Sequence, residues 1–120
     1  MDSKIIQLVR MNLAFHNLNK SAENRLGLSL VQYHLLITLR DMPGCSPQKL
    51  ADAAGMHPSS LTQSLKRLQR KQTVFIGEDP KDSRKKILSM TRTGRDLIDR
   101  FSKGIGEILE LQFGNTDPSL

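Results

Sequence analysis

Ser59 to Thr91 reads SSLTQSLKRLQRKQTVFIGEDPKDSRKKILSMT, and the period of its apolar residues changes partway along. Leu61, Leu65 and Leu68 recur at helical spacing, while Ser59, Ser60, Thr62, Gln63 and Lys66 fall on the other face. That second face is short, polar and basic. Further on, VFIGED and KILSM read as strands flanking PKDSRK, a turn-forming loop carrying three positive charges. The stretch therefore predicts a basic helix over about 58–71, a strand, a charged loop at about 79–86 and a second strand.

The charge of the whole chain is concentrated there. Of a net +6, residues 57–95 hold ten Lys/Arg against three acids, a local +7, and the remaining eight bases and nine acids give −1. Positive charge gathered in one third of a chain is the footprint of a surface that meets phosphate; a solvated helix face and a soluble loop would leave the same count. The 120 residues fit one domain with a modest core. No apolar run reaches the length of a membrane span, and MDSKIIQLVR lacks the apolar core and cleavage site of a signal peptide, so the expected compartment is the cytoplasm, with no membrane partner. The lone Cys45 cannot form an intrachain disulfide, and His16 and His34 have no ligand partner at metal-binding spacing, so neither metal nor cofactor is expected.

Around the basic helix the chain supplies supports. Residues 3–26 read as a long first helix whose apolar positions, among them Ile5, Ile6, Val9 and Leu13, occupy more than one stripe and need partners on two sides; Gly27 stops it. Ser29 and Gln32 form an S-x-x-Q capping box at the start of a second helix running to about Arg40, with Val31, Leu35, Leu36 and Leu39 buried. Cys45 falls in a short extended piece, and Ser46-Pro47 starts a third helix over about 47–54 with Leu50, Ala53 and Ala51 inward. Gly55-Met56-His57 turns the chain, and Pro58 launches the basic helix. Two helices joined by a Gly-containing turn, the second polar and basic outside, satisfy the helix-turn-helix pattern. Its small hydroxyl residues allow close approach to base edges and phosphate, although capping alone would also explain them. A last helix runs from Thr91 to about Phe113, with Leu97, Ile98, Phe101, Ile105, Ile108, Leu109 and Gln112 along one side. Residues 114–120 have no periodicity and read as a flexible tail.

This order of elements resembles the MarR family of winged helix-turn-helix repressors over roughly 28–101. The most specific likeness is Asp79-Pro80-x-Asp82-x-Arg84, followed by Leu88-Ser89-Met90-Thr91-x-x-Gly94, which is similar to the family's D-P-x-D-x-R wing and closing L-T-x-x-G. Gln32, Leu50-Ala51 and Leu65-x-x-Leu68 support it. The resemblance implies a mainly α fold with a small antiparallel hairpin wing, and a homodimer on pseudo-palindromic double-stranded DNA. The basic helices would enter major grooves and the wings flanking minor grooves. Ser59, Ser60, Thr62, Gln63, Lys66, Arg67, Arg70, Lys81, Arg84, Lys85 and Lys86 become the candidate DNA contacts. Asp82 would orient Arg84, or else merely close the turn. Helices 3–26 and 91–113 would form the dimer, through Ile5, Ile6, Val9, Leu13, Phe101, Ile105, Ile108 and Leu109, around a DNA-binding lobe at 29–90. Members commonly answer to a small aromatic or lipophilic effector.

Three departures stand out. Gln72-Thr73 replaces the glycine that usually follows the recognition helix. Ile76 and Gly77 stand where many members have basic residues. The chain ends before the further helix that members pack into the dimer interface, so pairing would fall to residues 3–18 and 97–113. The altered hairpin leaves open a winged-helix interaction module that has lost specific DNA binding; the local +7 speaks against it. An enzyme is not expected, because no phosphate loop, metal motif or nucleophile–base pair is present.

Overall fold

The computed structural model describes residues 2–114; the tail expected at 114–120 lies outside them apart from Gly114. The elements are α1 (Ser3–Leu26), α2 (Leu30–Asp41), α3 (Pro47–Ala54), α4 (Pro58–Arg70), β1 (Val74–Asp79), β2 (Asp82–Met90) and α5 (Arg92–Phe113). The two strands pair antiparallel from Val74↔Met90 to Glu78↔Lys86, and the register shifts at Asp79.

Local chemistry explains most boundaries. Gly27 ends α1 in the left-handed region at φ 86°, where a side chain would be strained. Ser29 Oγ accepts the Gln32 N–H at 3.1 Å while Gln32 Oε1 accepts the Ser29 N–H at 3.1 Å, so the capping box closes in both directions. Ser46 caps α3 ahead of Pro47 at its first position. The Cys45 segment does bond to the hairpin: Gly44 N–H donates to Leu88 O at 2.8 Å, and Leu88 N–H donates to Cys45 O at 2.9 Å.

One apolar cluster holds the helices to the hairpin. Leu28, Leu35, Leu36, Leu39, Leu50, Leu61, Leu68 and Leu88 are almost wholly buried, and Phe101 stacks on Tyr33 at 4.3 Å between ring centroids. The inward side of α4 is thus its leucine face, which turns Ser59, Ser60, Thr62, Gln63 and Lys66 outward.

Four expectations need correction. Phe101 and Ile108, expected at a dimer surface, are 2% and 3% exposed: they sit on the inner face of α5 and fill the chain's own core. Ala53 is exposed while Ala51 is fully buried, because on an eight-residue helix anchored by Leu50 the adjacent Ala51 rotates inward. Val31 is only half-buried. The wing loop is also much shorter than PKDSRK suggests, since strand pairing continues through Asp82 and leaves Pro80 and Lys81 as the turn.

Candidate nucleic-acid interface

The outward face of α4 begins at an unusual cap. His57 precedes Pro58, and its Nδ1 accepts the Ser59 N–H at 3.2 Å and lies 2.8 Å from Ser59 Oγ. Imidazole here does the work usually done by Ser, Asp or Asn, occupying one of the free N–H groups at the helix start. Thr62 Oγ1 donates back to Pro58 O at 3.0 Å. Ser60 and Gln63 are exposed with no partner among the described residues, as are Lys66 and Arg70. In the sequence, a histidine directly before a first-turn proline is the signal for this capping role.

At the other end of α4 the chain is tied inward. Lys71 Nζ donates to Gln32 Oε1 at 2.6 Å, to Glu23 Oε2 at 2.7 Å and to Gly27 O at 2.9 Å, and Gln32 Nε2 donates to Glu23 Oε2 at 3.2 Å. The hydrogen bond from Lys71, opposed by partial burial and helped by its charge, holds the Glu23 carboxyl below the usual carboxylate range. One of the ten local positive charges is therefore spent inside the fold. Charge counting could not have separated it from the outward lysines; only its three fixed partners do.

The corner that lacks glycine is made by Gln72 in the left-handed region, at φ 61°, unusual for a side chain with a Cβ. Its neighbours fasten it. Thr73 is fully buried, with both its N–H and its hydroxyl donating to Leu68 O, at 3.0 and 2.8 Å. Thr91 Oγ1 donates to Gln72 O at 2.6 Å, Thr91 N–H donates to Thr73 O at 2.9 Å, and Gly94 N–H donates to Thr91 Oγ1 at 3.1 Å. A Cβ on Gly94 would stand 2.5 Å from Thr73 O and 2.8 Å from Met90 Cγ, which explains glycine at the end of the L-T-x-x-G run.

The hairpin presents its charges at the tip. Asp82 Oδ1 accepts both the Arg84 N–H at 3.1 Å and Arg84 Nε–H at 3.2 Å, and Asp82 Oδ2 lies 3.5 Å from Nη2. These bonds lower the Asp82 carboxyl below its ordinary range. The Arg84 side chain remains 90% exposed, so the brace holds one edge of the guanidinium while leaving the rest of it in solvent. Asp79 Oδ1 accepts the Lys81 N–H at 2.9 Å, closing the turn. Lys86 faces Glu78 across the hairpin at 3.8 Å, while Lys81 and Lys85 make no ion pair among the described residues. Below the hairpin, Ile76 packs on the core, and Phe75 is 63% exposed.

Ile5, Ile6, Val9 and Leu13 on α1 and Leu109 on α5 are exposed, and Ile105 is half-buried. Cys45 is buried, and burial pushes its thiol up, away from the thiolate needed for reactivity at neutral pH. Among the described residues no group of His, Cys, Asp and Glu could hold a metal ion, and no helix is long and apolar enough to cross a membrane.

A helix-turn-helix whose second helix turns a basic face outward, followed by a two-stranded hairpin and a long closing helix, defines a winged helix-turn-helix protein. The MarR family model matches residues 28–86. The HTH-type transcriptional repressor NicR of Pseudomonas putida is 30% identical over 88 residues, covering 73% of this chain and 56% of NicR, so the chain spans little more than half of that relative. Among solved structures, the PcaV transcriptional regulator of Streptomyces coelicolor superposes with a TM-score of 0.80 at 20% identity, covering 98% of this chain and 86% of that one. Bordetella bronchiseptica BpsR, whose DNA binding is regulated by 6-hydroxynicotinic acid, gives 0.76 at 20% identity, with 98% and 84% covered. A mutant MarR from E. coli complexed with operator DNA gives 0.73 at 20% identity, with 99% and 90% covered. The chain belongs to the MarR family.

Proposed function

We propose that this protein is a homodimeric, sequence-specific DNA-binding transcriptional regulator that acts as a repressor. In this reading α4 enters the major groove through Ser59, Ser60, Thr62, Gln63 and Lys66, with Arg67 and Arg70 toward phosphates. The wing lays Arg84 into the flanking minor groove, with Lys81, Lys85 and Lys86 beside it. The observation that carries the reading is the pairing of an outward polar and basic α4 face, whose Ser60, Gln63, Lys66 and Arg70 have no partner among the described residues, with an exposed arginine braced by Asp82. A narrow minor groove concentrates negative potential, and a guanidinium held along one edge loses less freedom on entering it.

The two-fold arrangement rests on the exposed apolar side chains of α1 and α5, with Phe101 and Ile108 removed from the interface. Ile5 is 58% and Leu13 55% exposed, more apolar surface in one region than a monomer ordinarily leaves in water. In this assignment 29–90 is the DNA-binding lobe, α1 and α5 pair the subunits, and the half-sites lie about one helical turn apart. By analogy with BpsR, a small aromatic acid is the effector class to try first. Selection of bound duplexes from a random pool should return a pseudo-palindrome, and sedimentation at micromolar concentration should give a dimer. An enriched but asymmetric single half-site with a monomeric protein would contradict the two-fold reading. The exposed Phe75 on the hairpin favours the rival reading of a protein-interaction module, which predicts that the pool yields no enriched duplex.

A further inference from the structure

We infer that the start of α4 reads bases that present a hydrogen-bond donor, the exocyclic amino group of adenine or cytosine, because two of its three reading hydroxyls, Ser59 and Thr62, have already committed their protons inside the protein. The inference deepens the DNA-reading assignment and rests on it. The Ser59 backbone N–H can only donate, so Nδ1 of His57, at 3.2 Å from it, must carry a lone pair rather than a proton. The same nitrogen lies 2.8 Å from Ser59 Oγ, and a nitrogen without a proton can only accept there. Ser59 O–H therefore points back to His57, leaving oxygen lone pairs outward. Thr62, three residues on and on the same face, gives its own proton to Pro58 O at 3.0 Å. Both hydroxyls thus meet the groove as acceptors.

A major-groove edge offers donors at adenine N6 and cytosine N4, and acceptors at N7 of both purines, guanine O6 and thymine O4, so guanine and thymine offer acceptors alone. Two committed hydroxyls match the first pair and oppose the second. His57 is then a positioning residue: it acts through Ser59. With Nδ1 accepting, the neutral ring carries its proton on Nε2, which has no partner among the described residues and suits a phosphate oxygen beside the helix start. Ser60, whose hydroxyl has no partner among the described residues, carries no such bias.

The test begins with duplexes that the full chain itself selects from a random pool. At each half-site position, adenine is replaced by unsubstituted purine, or cytosine by its analogue lacking the 4-amino group, and affinity is compared for the parent, Ser59→Ala, His57→Ala and His57→Asn. The expected result is a position where deleting the amino group weakens parent binding about fivefold, with the loss shrinking to within about twofold in Ser59→Ala. His57→Ala should relax the preference and admit guanine or thymine at that position, and His57→Asn, whose side-chain oxygen also accepts, should keep it. A purely structural cap would weaken all duplexes alike in His57→Ala without changing the base preference, and that outcome overturns the inference. So does an enriched pool in which no amino deletion couples to Ser59→Ala. A pool with no enriched duplex would instead overturn the DNA-reading assignment, and this inference with it.

Discussion

The two ends of α4 are built in opposite ways. Its N-terminal end is exposed and carries small side chains tied only to their immediate neighbours, His57 to Ser59 and Thr62 to Pro58. Its C-terminal end is fixed by contacts from three parts of the chain: Glu23 and Gly27 at the end of α1, Gln32 at the start of α2, and the Thr73–Thr91–Gly94 corner. The difference shows how one helix can read a variable partner. The end that touches the partner keeps few internal obligations, and its aim is set from the far end.

The comparison breaks most readily at the corner. Gly94→Ala should unfold the protein at lower denaturant by about 3 kcal/mol, since the new methyl meets backbone at Thr73 rather than a side chain that could swing away. Chemical denaturation measures this; a change below about 0.5 kcal/mol would mean that the corner yields freely. Lys71→Met should cost about 2 kcal/mol, because buried Gln32 and the Gly27 carbonyl lose a donor together. By contrast, Ser60→Ala at the reading end should leave stability within about 0.5 kcal/mol of the parent while changing DNA affinity.

Acid sharpens the same contrast. Because Glu23's carboxyl is held down in the folded state, its contribution is fully present above its unfolded value near 4.5 and is lost as pH falls through the lower folded value. Its side chain is 41% exposed, so the contribution is small. Unfolding curves of parent and Glu23→Gln should converge as pH drops below 4.5; parallel curves down to pH 3 would remove Glu23 from the account. One effect runs the other way. Gln72→Gly should stabilise the chain by about 0.5–1 kcal/mol by relieving a left-handed glutamine. A loss of stability would show that the Gln72 side chain contributes more than its backbone strain costs.

Most of the frame was legible from residues alone, and the reason is local. The capping box at Ser29, Pro47 and Pro58 at first helical positions, Gly27 as a stop and the leucine period of α4 each act within one turn of the chain. What sequence could not show depends on contacts between distant segments. Phe101 and Ile108 share an apolar stripe with Leu109, and only the packing of α5 separates core from surface. Lys71 looks like Lys66 in a charge count, yet its partners lie 39 to 48 residues away. The wing was foreseen by its resemblance, but its loop was drawn too long because turn residues such as Asp82 and Ser83 also serve at the ends of paired strands.

The central claim is that this polar and basic face meets phosphate, and salt tests it directly. Binding of the full chain to its selected duplex should weaken linearly on a plot of log K against log salt, with about −0.9 of slope for every phosphate neutralised. Lys66→Ala should reduce that slope while Lys71→Met, whose charge is turned inward, should leave it unchanged. A near-flat plot for the parent, or no duplex bound at low salt, would contradict the account.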